Sequence, residues 1–265
     1  AQANQIDFRA SYANLGTAEA PRVGAPRMVD GLNFLNANAD ASEGALAADQ
    51  TRFTISNVKD GEIVPLYSSI TADRTLTKND VFDFYKLSSV GKPSNQEIEI
   101  FQLFADRPVE TGTVGWVGVG NMAYNVFIPY YPLLMQEIYA GYQVSTPVAA
   151  KVPFAEGRPE GFATYSQNRR TGEEFYVVYP ENWRDSYYFA FEGLGGSILY
   201  AEQLTGAPIA ESEKQLATDT LAALQDEINA GFESLDPNET GAFGKQMAEK
   251  AQQTALTLID RLTAQ

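Results

Sequence analysis

The sequence predicts an α+β fold, on three observations. Segments with a two-residue apolar repeat crowd the middle of the chain, as in "EIEIFQLF" and "GTVGWVGVG". The last 55 or so residues instead carry apolar side chains at helical spacing, as in "ESEKQLATDTLAALQDEINAGFESL". Between and before these, glycine and proline punctuate loops and turns.

Taken in order, residues 1 to 45 are rich in Ala, Asn, Gly and Pro, and "APRVGAPR" is read as irregular. "MVDGLNFLN" is read as a short helix. "RFTISNVKDGEIVPLY" is read as a hairpin: Phe53 and Ile55 alternate with polar residues, and Asp60-Gly61 suits a tight turn. In "TLTKNDVFDFYKLS", Thr77 and Asp80 have capping-box spacing, with Val81, Phe84 and Tyr85 at helical intervals.

Ile98 and Ile100 then alternate with Glu97 and Glu99, after which Phe101, Leu103 and Phe104 make both faces apolar. The next strand puts Val114 and Trp116 on one face, Val117 and Val119 on the other. Strands of this kind are expected to be covered on both faces. A turn at Gly120-Asn121 leads into "YNVFIPYY", a third strand expected to stop at Pro129. Residues 141–185 read as polar and loop-rich. "SYYFAFEGLGGSILYAEQL" reads as a helix, and Gly193, Gly195 and Gly196 predict close approach by a neighbour. These glycines do not join a strand to a helix start, so they are no dinucleotide fingerprint. The chain ends in two amphipathic helices joined at Asp236-Pro237-Asn238, an antiparallel hairpin over residues 206–265 packed on a body of residues 1–205.

Composition bounds the chemistry. The 265 residues hold 34 acidic and 19 basic side chains, a net charge of −15, which argues against nucleic-acid and anionic-membrane partners. No run is long enough to cross a membrane. The opening "AQANQIDFRASYANLG" reads as a mature or cleaved N-terminus. Cys and His are both absent, leaving carboxylates, Lys, Tyr, Ser and Thr as the catalytic repertoire. Glu97 and Glu99 share a strand face about 7 Å apart, which suits either a glycosidase pair or a solvated face. "DPNETG" and "NADASEG" lack the ordered ligands of a calcium loop, and Arg169-Arg170 reads as a solvated loop. Arg22 and Arg27 sit in a proline-stiffened segment, where an arginine can hold a carboxylate bidentately.

The order of segments resembles one family. "IDFRASYANLGTAEAPRVGAPRMVDGLNFLN", "NQEIEIFQL", "GTVGWVGVGNMAYNVFIPYYP" and "DSYYFAFEGLGGSILY" look like the C-terminal half of the bacterial cysteine dipeptidases, which are N-terminal-nucleophile hydrolases. The matching pieces are Asp7-Phe8, Pro21-Arg22, Phe101-Gln102, Trp116-Val117, Gly120 and Phe127 to Tyr131. Glu99 stands where the family often has His.

The resemblance implies an αββα sandwich and hydrolysis of dipeptides by acyl transfer, with no metal or cofactor. The Cys nucleophile would come from an N-terminal chain of the same precursor, giving a heterodimer open to further oligomerisation. Arg22, on the Pro-Arg motif, would fix charge near the nucleophile; its alternative is a structural ion pair. Asn121, Tyr124 and Asn125 would edge a substrate pocket for a small peptide; their alternative is core. The competing reading is a non-catalytic structural or assembly component derived from that family. The expected location is extracellular or cell-surface, with a cytoplasmic one as the alternative.

Overall fold

The structure is a computed structural model that describes residues 30–31, 33–36, 58–59, 62–63, 72–91, 96–144, 149–168 and 171–264. It is a mixture of helix and antiparallel sheet, in two compact units, Ala1–Val90 and Gly91–Gln265.

In the first unit, β1 (Val58–Lys59) pairs antiparallel with β2 (Glu62–Ile63), as the Asp60-Gly61 signal predicts. Helix α1 (Lys78–Lys86) begins with the predicted capping box. The Thr77 hydroxyl accepts from the Asp80 amide at 3.3 Å, and the Asp80 carboxylate accepts from the Thr77 amide at 2.7 Å. Donation from the Thr77 amide, the Thr77 hydroxyl and then Arg74 holds the Asp80 carboxyl down at about 2. Arg74 also donates to the Phe34 carbonyl at 2.9 Å and lies over the Phe34 ring. The residues from Phe53 to Asn57 and the segment 1–29 fall outside the described residues.

The second unit is built around two three-stranded sheets. The first runs β3 (Glu97–Leu103), β4 (Thr113–Val119) and β5 (Ile128–Tyr130), in that order. Its register sets Glu99 opposite Val117, and Val117 opposite Ile128. Because cross-strand partners share a face, Ile98, Val114 and Trp116 point one way and Glu97, Glu99, Val117, Val119 and Tyr130 the other. The first face is core, with Val114 and Trp116 buried. The other face is open: Phe101 is 53% exposed and Leu103 75%. The expectation that both faces are covered therefore fails for these residues. The sheet is narrow, β3 lies at its edge, and alternation alone does not say which apolar face meets a partner. Pro129 lies inside β5 and does not end it, an allowed place because β5 is the other edge strand and its missing amide breaks no required bond.

The second sheet, β6 (Ala150–Pro153), β7 (Ala163–Gln167) and β8 (Glu174–Val178), has the order β6-β8-β7 and occupies the region read as loop. Against it lies α2 (Tyr187–Leu199), started by a Ser186 cap. This helix is apolar on nearly every side and buried on nearly every side. Its glycines explain how. A Cβ at Gly196 would sit 2.5 Å from the Thr164 methyl, and one at Gly195 would overlap the Asn121 side chain. At Gly193 it would crowd the Phe162 ring at 3.1 Å. Each glycine lets a different neighbour reach the helix backbone, as the cluster predicts.

After the short helix α3 (Ala201–Thr205), helices α4 (Glu211–Glu233) and α5 (Thr240–Thr263) form the predicted hairpin. The Lys250–Glu227 and Arg261–Glu213 ion pairs show that they run antiparallel. Phe232 of α4 meets the Trp116 and Tyr131 rings at 5.7 and 5.0 Å, so the hairpin covers the inner sheet face. Gln225 of α4 accepts from the Phe127 amide at 2.7 Å and donates to the Phe127 carbonyl at 3.1 Å. Its side-chain amide thus takes the place of a strand backbone just before β5. Thr240 likewise accepts from the Tyr131 amide just after it, at 3.1 Å.

Candidate functional site

A cleft of about 390 Å3 opens on the outer face of the β3–β4–β5 sheet. Its floor is apolar at Val117, Val119 and Ile128, and Glu97 and Glu99 stand at its β3 side. The two-residue repeat of "EIEI" puts both carboxylates on this face, while Ile98 enters the core.

Tyr130 spans the floor. A Cβ at Gly115 would overlap its ring, so the bare glycine backbone lets the phenol lie across β4 toward β3. There the hydroxyl donates to Glu99 Oε1 at 3.4 Å. Burial, with the charges of Glu99 and Glu97, raises the Tyr130 phenol above its ordinary pKa.

One wall is the segment after β5, with Met135, Glu137, Ile138, Tyr139 and Tyr142; the other is the start of α5, with Gly241, Gly244 and Lys245. Gly241 has no side chain, and this lets the Glu137 backbone and Cγ come within 3.4 Å of where its Cβ would be. Lys245 Nζ is then 3.2 Å from Glu137 Oε2. The cleft's one described ammonium is thus spent on one carboxylate. Glu97 and Glu99 have no cation partner among the described residues.

Tyr142 packs against Tyr187, the rings tilted and their centroids 4.7 Å apart. Its hydroxyl is shielded from solvent and lies beside that of Tyr187. Burial raises the Tyr142 phenol well above the ordinary value.

Asn121, Tyr124 and Asn125, read from the sequence as a pocket edge, are placed away from the cleft. Arg22 lies outside the described residues, as do Arg27, Arg169 and Arg170. Asn121 and Asn125 are buried and organise the β4–β5 connection. The Asn121 side chain accepts from the Ala123 amide at 3.1 Å, capping a 3-10 turn at Met122–Tyr124. Asn125 Nδ2 donates to the Val119 carbonyl at 2.8 Å, and its Oδ1 accepts from the Val126 amide at 2.8 Å. Tyr124 is half-buried, its phenol raised by burial and then by Glu211. None of the three lines the cleft. Of the residues weighed from sequence, Glu97 and Glu99 are the ones it brings together; Tyr130, Glu137, Tyr142 and Lys245 carried no local signal.

A second carboxylate stands apart. Glu192, on α2, has one oxygen without exposed surface or hydrogen-bond partner among the described residues. Burial pushes its carboxyl up to about 7 from an ordinary 4.5. Tyr179 and Tyr188 are raised by burial first and then by the Glu192 charge.

Among the described residues no group of three or more Asp or Glu side chains is placed to hold a metal ion, and no helix is long and apolar enough to cross a membrane. With no thiol or imidazole in the chain, the cleft's polar groups are carboxylates, phenols and one paired ammonium. Such a set binds, orients and exchanges protons; it contains no thiol nucleophile. No protein-family model matches the chain, and no curated protein matches it significantly.

Proposed function

We propose that this chain is the C-terminal part of a cysteine-dipeptidase-like hydrolase that cleaves small peptides by acyl transfer, its Cys nucleophile carried by another polypeptide. The observation behind the reading is the one-sided first sheet. Helices α4 and α5 cover its inner face, while Phe101 and Leu103 leave apolar surface exposed on the other. A helix layer on a sheet with one bare face is what half of an αββα sandwich would present. A second sheet brought by the nucleophile-bearing polypeptide would complete it at the Phe101–Leu103 end. The cleft, at the Glu97–Val119 end, would stay open to substrate. An extracellular or cell-surface location goes with this reading.

Isolation from the native source without denaturants tests it. The expected result is a second polypeptide whose first residue is Cys, and dipeptide hydrolysis abolished by iodoacetamide. A homogeneous 265-residue chain with no companion and no hydrolysis overturns it. The absence of every Cys and His from so long a chain favours one other reading, a non-catalytic assembly component. That reading predicts self-association of the purified chain through the same bare face.

A further inference from the structure

We infer that the cleft on the β3–β4–β5 sheet is a binding site for a small organic cation, a primary amine carrying an apolar body. Three features of the cleft support this. The cavity, about 390 Å3, is of the size that takes a small molecule. Its floor, from Val117, Val119 and Ile128, is apolar and suits a hydrocarbon or aromatic body. Its charge is one-sided, because Lys245 is paired with Glu137 while Glu97 and Glu99 have no cation among the described residues.

The geometry favours a cation over a neutral or anionic ligand. Glu97 and Glu99 lie two strand positions apart, roughly 7 Å between Cα atoms, so one ammonium can donate to both carboxylates. Both carboxylates are exposed, so the attraction depends on salt. The Tyr130 phenol, raised first by burial and then by Glu99 and Glu97, lies across the same floor. An anionic ligand would meet two uncompensated charges there, and a neutral one would leave them unmatched.

The inference does not depend on the hydrolase reading, and its test needs no nucleophile. The probe is 2-phenylethylamine, protonated at pH 7, titrated by calorimetry into the full 265-residue chain, with 2-phenylethanol as the uncharged control. Saturable binding of the amine is expected, with the alcohol about tenfold weaker or worse. The double variant Glu97→Gln/Glu99→Gln should weaken the amine by about tenfold and leave the alcohol unchanged, and added salt should weaken the amine alone. Both glutamates are exposed, so the variant should keep the parent's circular dichroism spectrum; if it does not, Glu97→Gln alone serves as the variant. No saturable binding overturns the inference, as do equal binding of amine and alcohol and an unchanged affinity in the glutamine variant. Amine binding by a chain that proves to have no hydrolytic partner would sink the hydrolase reading and leave the cation site standing.

Discussion

The two faces of the β3–β4–β5 sheet are made from the same kinds of residue and have opposite fates. Trp116 and Val114 point inward and are 2% and 1% exposed; Phe101 and Leu103, one register pair away, are 53% and 75% exposed. Hydrophobicity does not separate them. What separates them is that Phe232 and the hairpin cover one side, while the other is left open around Phe101 and Leu103. Stability in this unit therefore resides on one face, and recognition is free to use the other.

Substitutions give that division numbers. Trp116→Ala removes the largest fully buried side chain and its edge-on contact with Phe232, and should cost about 3–5 kcal/mol in urea denaturation. A cost below about 1 kcal/mol would mean that the inner face is not the core.

The next largest effect contrasts a shielded carboxyl with the exposed pair on the open face. Folding raises the Glu192 carboxyl from 4.5 to about 7, so between those values the folded chain binds more protons than the unfolded one. Stability should accordingly fall as pH rises through that window, by up to about 3 kcal/mol, and Glu192→Gln should flatten the slope. Denaturation curves at pH 5 and pH 8 measure it; equal midpoints for the parent chain would show that the carboxyl is solvated.

Gly195→Ala forces a methyl into Asn121, whose turn closes the β4–β5 connection, and should cost about 1–3 kcal/mol by the same assay. Smallest is Leu103→Ser on the bare face, expected within about 0.5 kcal/mol for the isolated chain. In a complex whose second layer covers that face, the same change should weaken association, which makes it the sharpest probe of whether the face has a partner.

Much of this architecture is legible in the residues. The Thr77/Asp80 spacing predicts the start of α1 because a capping box is a local device, complete within four positions. The helical repeat from Glu211 onward predicts the hairpin, since its apolar stripes are long enough to average out single exceptions such as the half-exposed Leu216. The glycine cluster in α2 announces tight neighbours without naming them.

The second sheet was hidden. Its strands are only four or five residues long, β6 ends on Pro153, and β7 carries Thr, Ser and Gln. Such segments acquire strand structure from the pairing of β8 with both neighbours, a long-range fact. The candidate site was half visible. The sequence places Glu97 and Glu99 on one face, but the walls that turn this face into a cleft come from residues 135–142 and 241–245. Asn121 and Asn125 look like site residues because asparagines beside a glycine turn suit either a pocket or a turn; here they satisfy backbone groups of the turn itself.

The contact between Gln225 and Phe127 has a consequence for how interchangeable the C-terminal hairpin is. Sliding α4 by one turn, about 5.4 Å, would keep greasy surface against greasy surface yet strand both polar groups of Phe127 in a dry interior. The amide works as a dowel, fixing the helix at one height along the sheet, and a transplanted hairpin lacking it would grip without knowing where to sit.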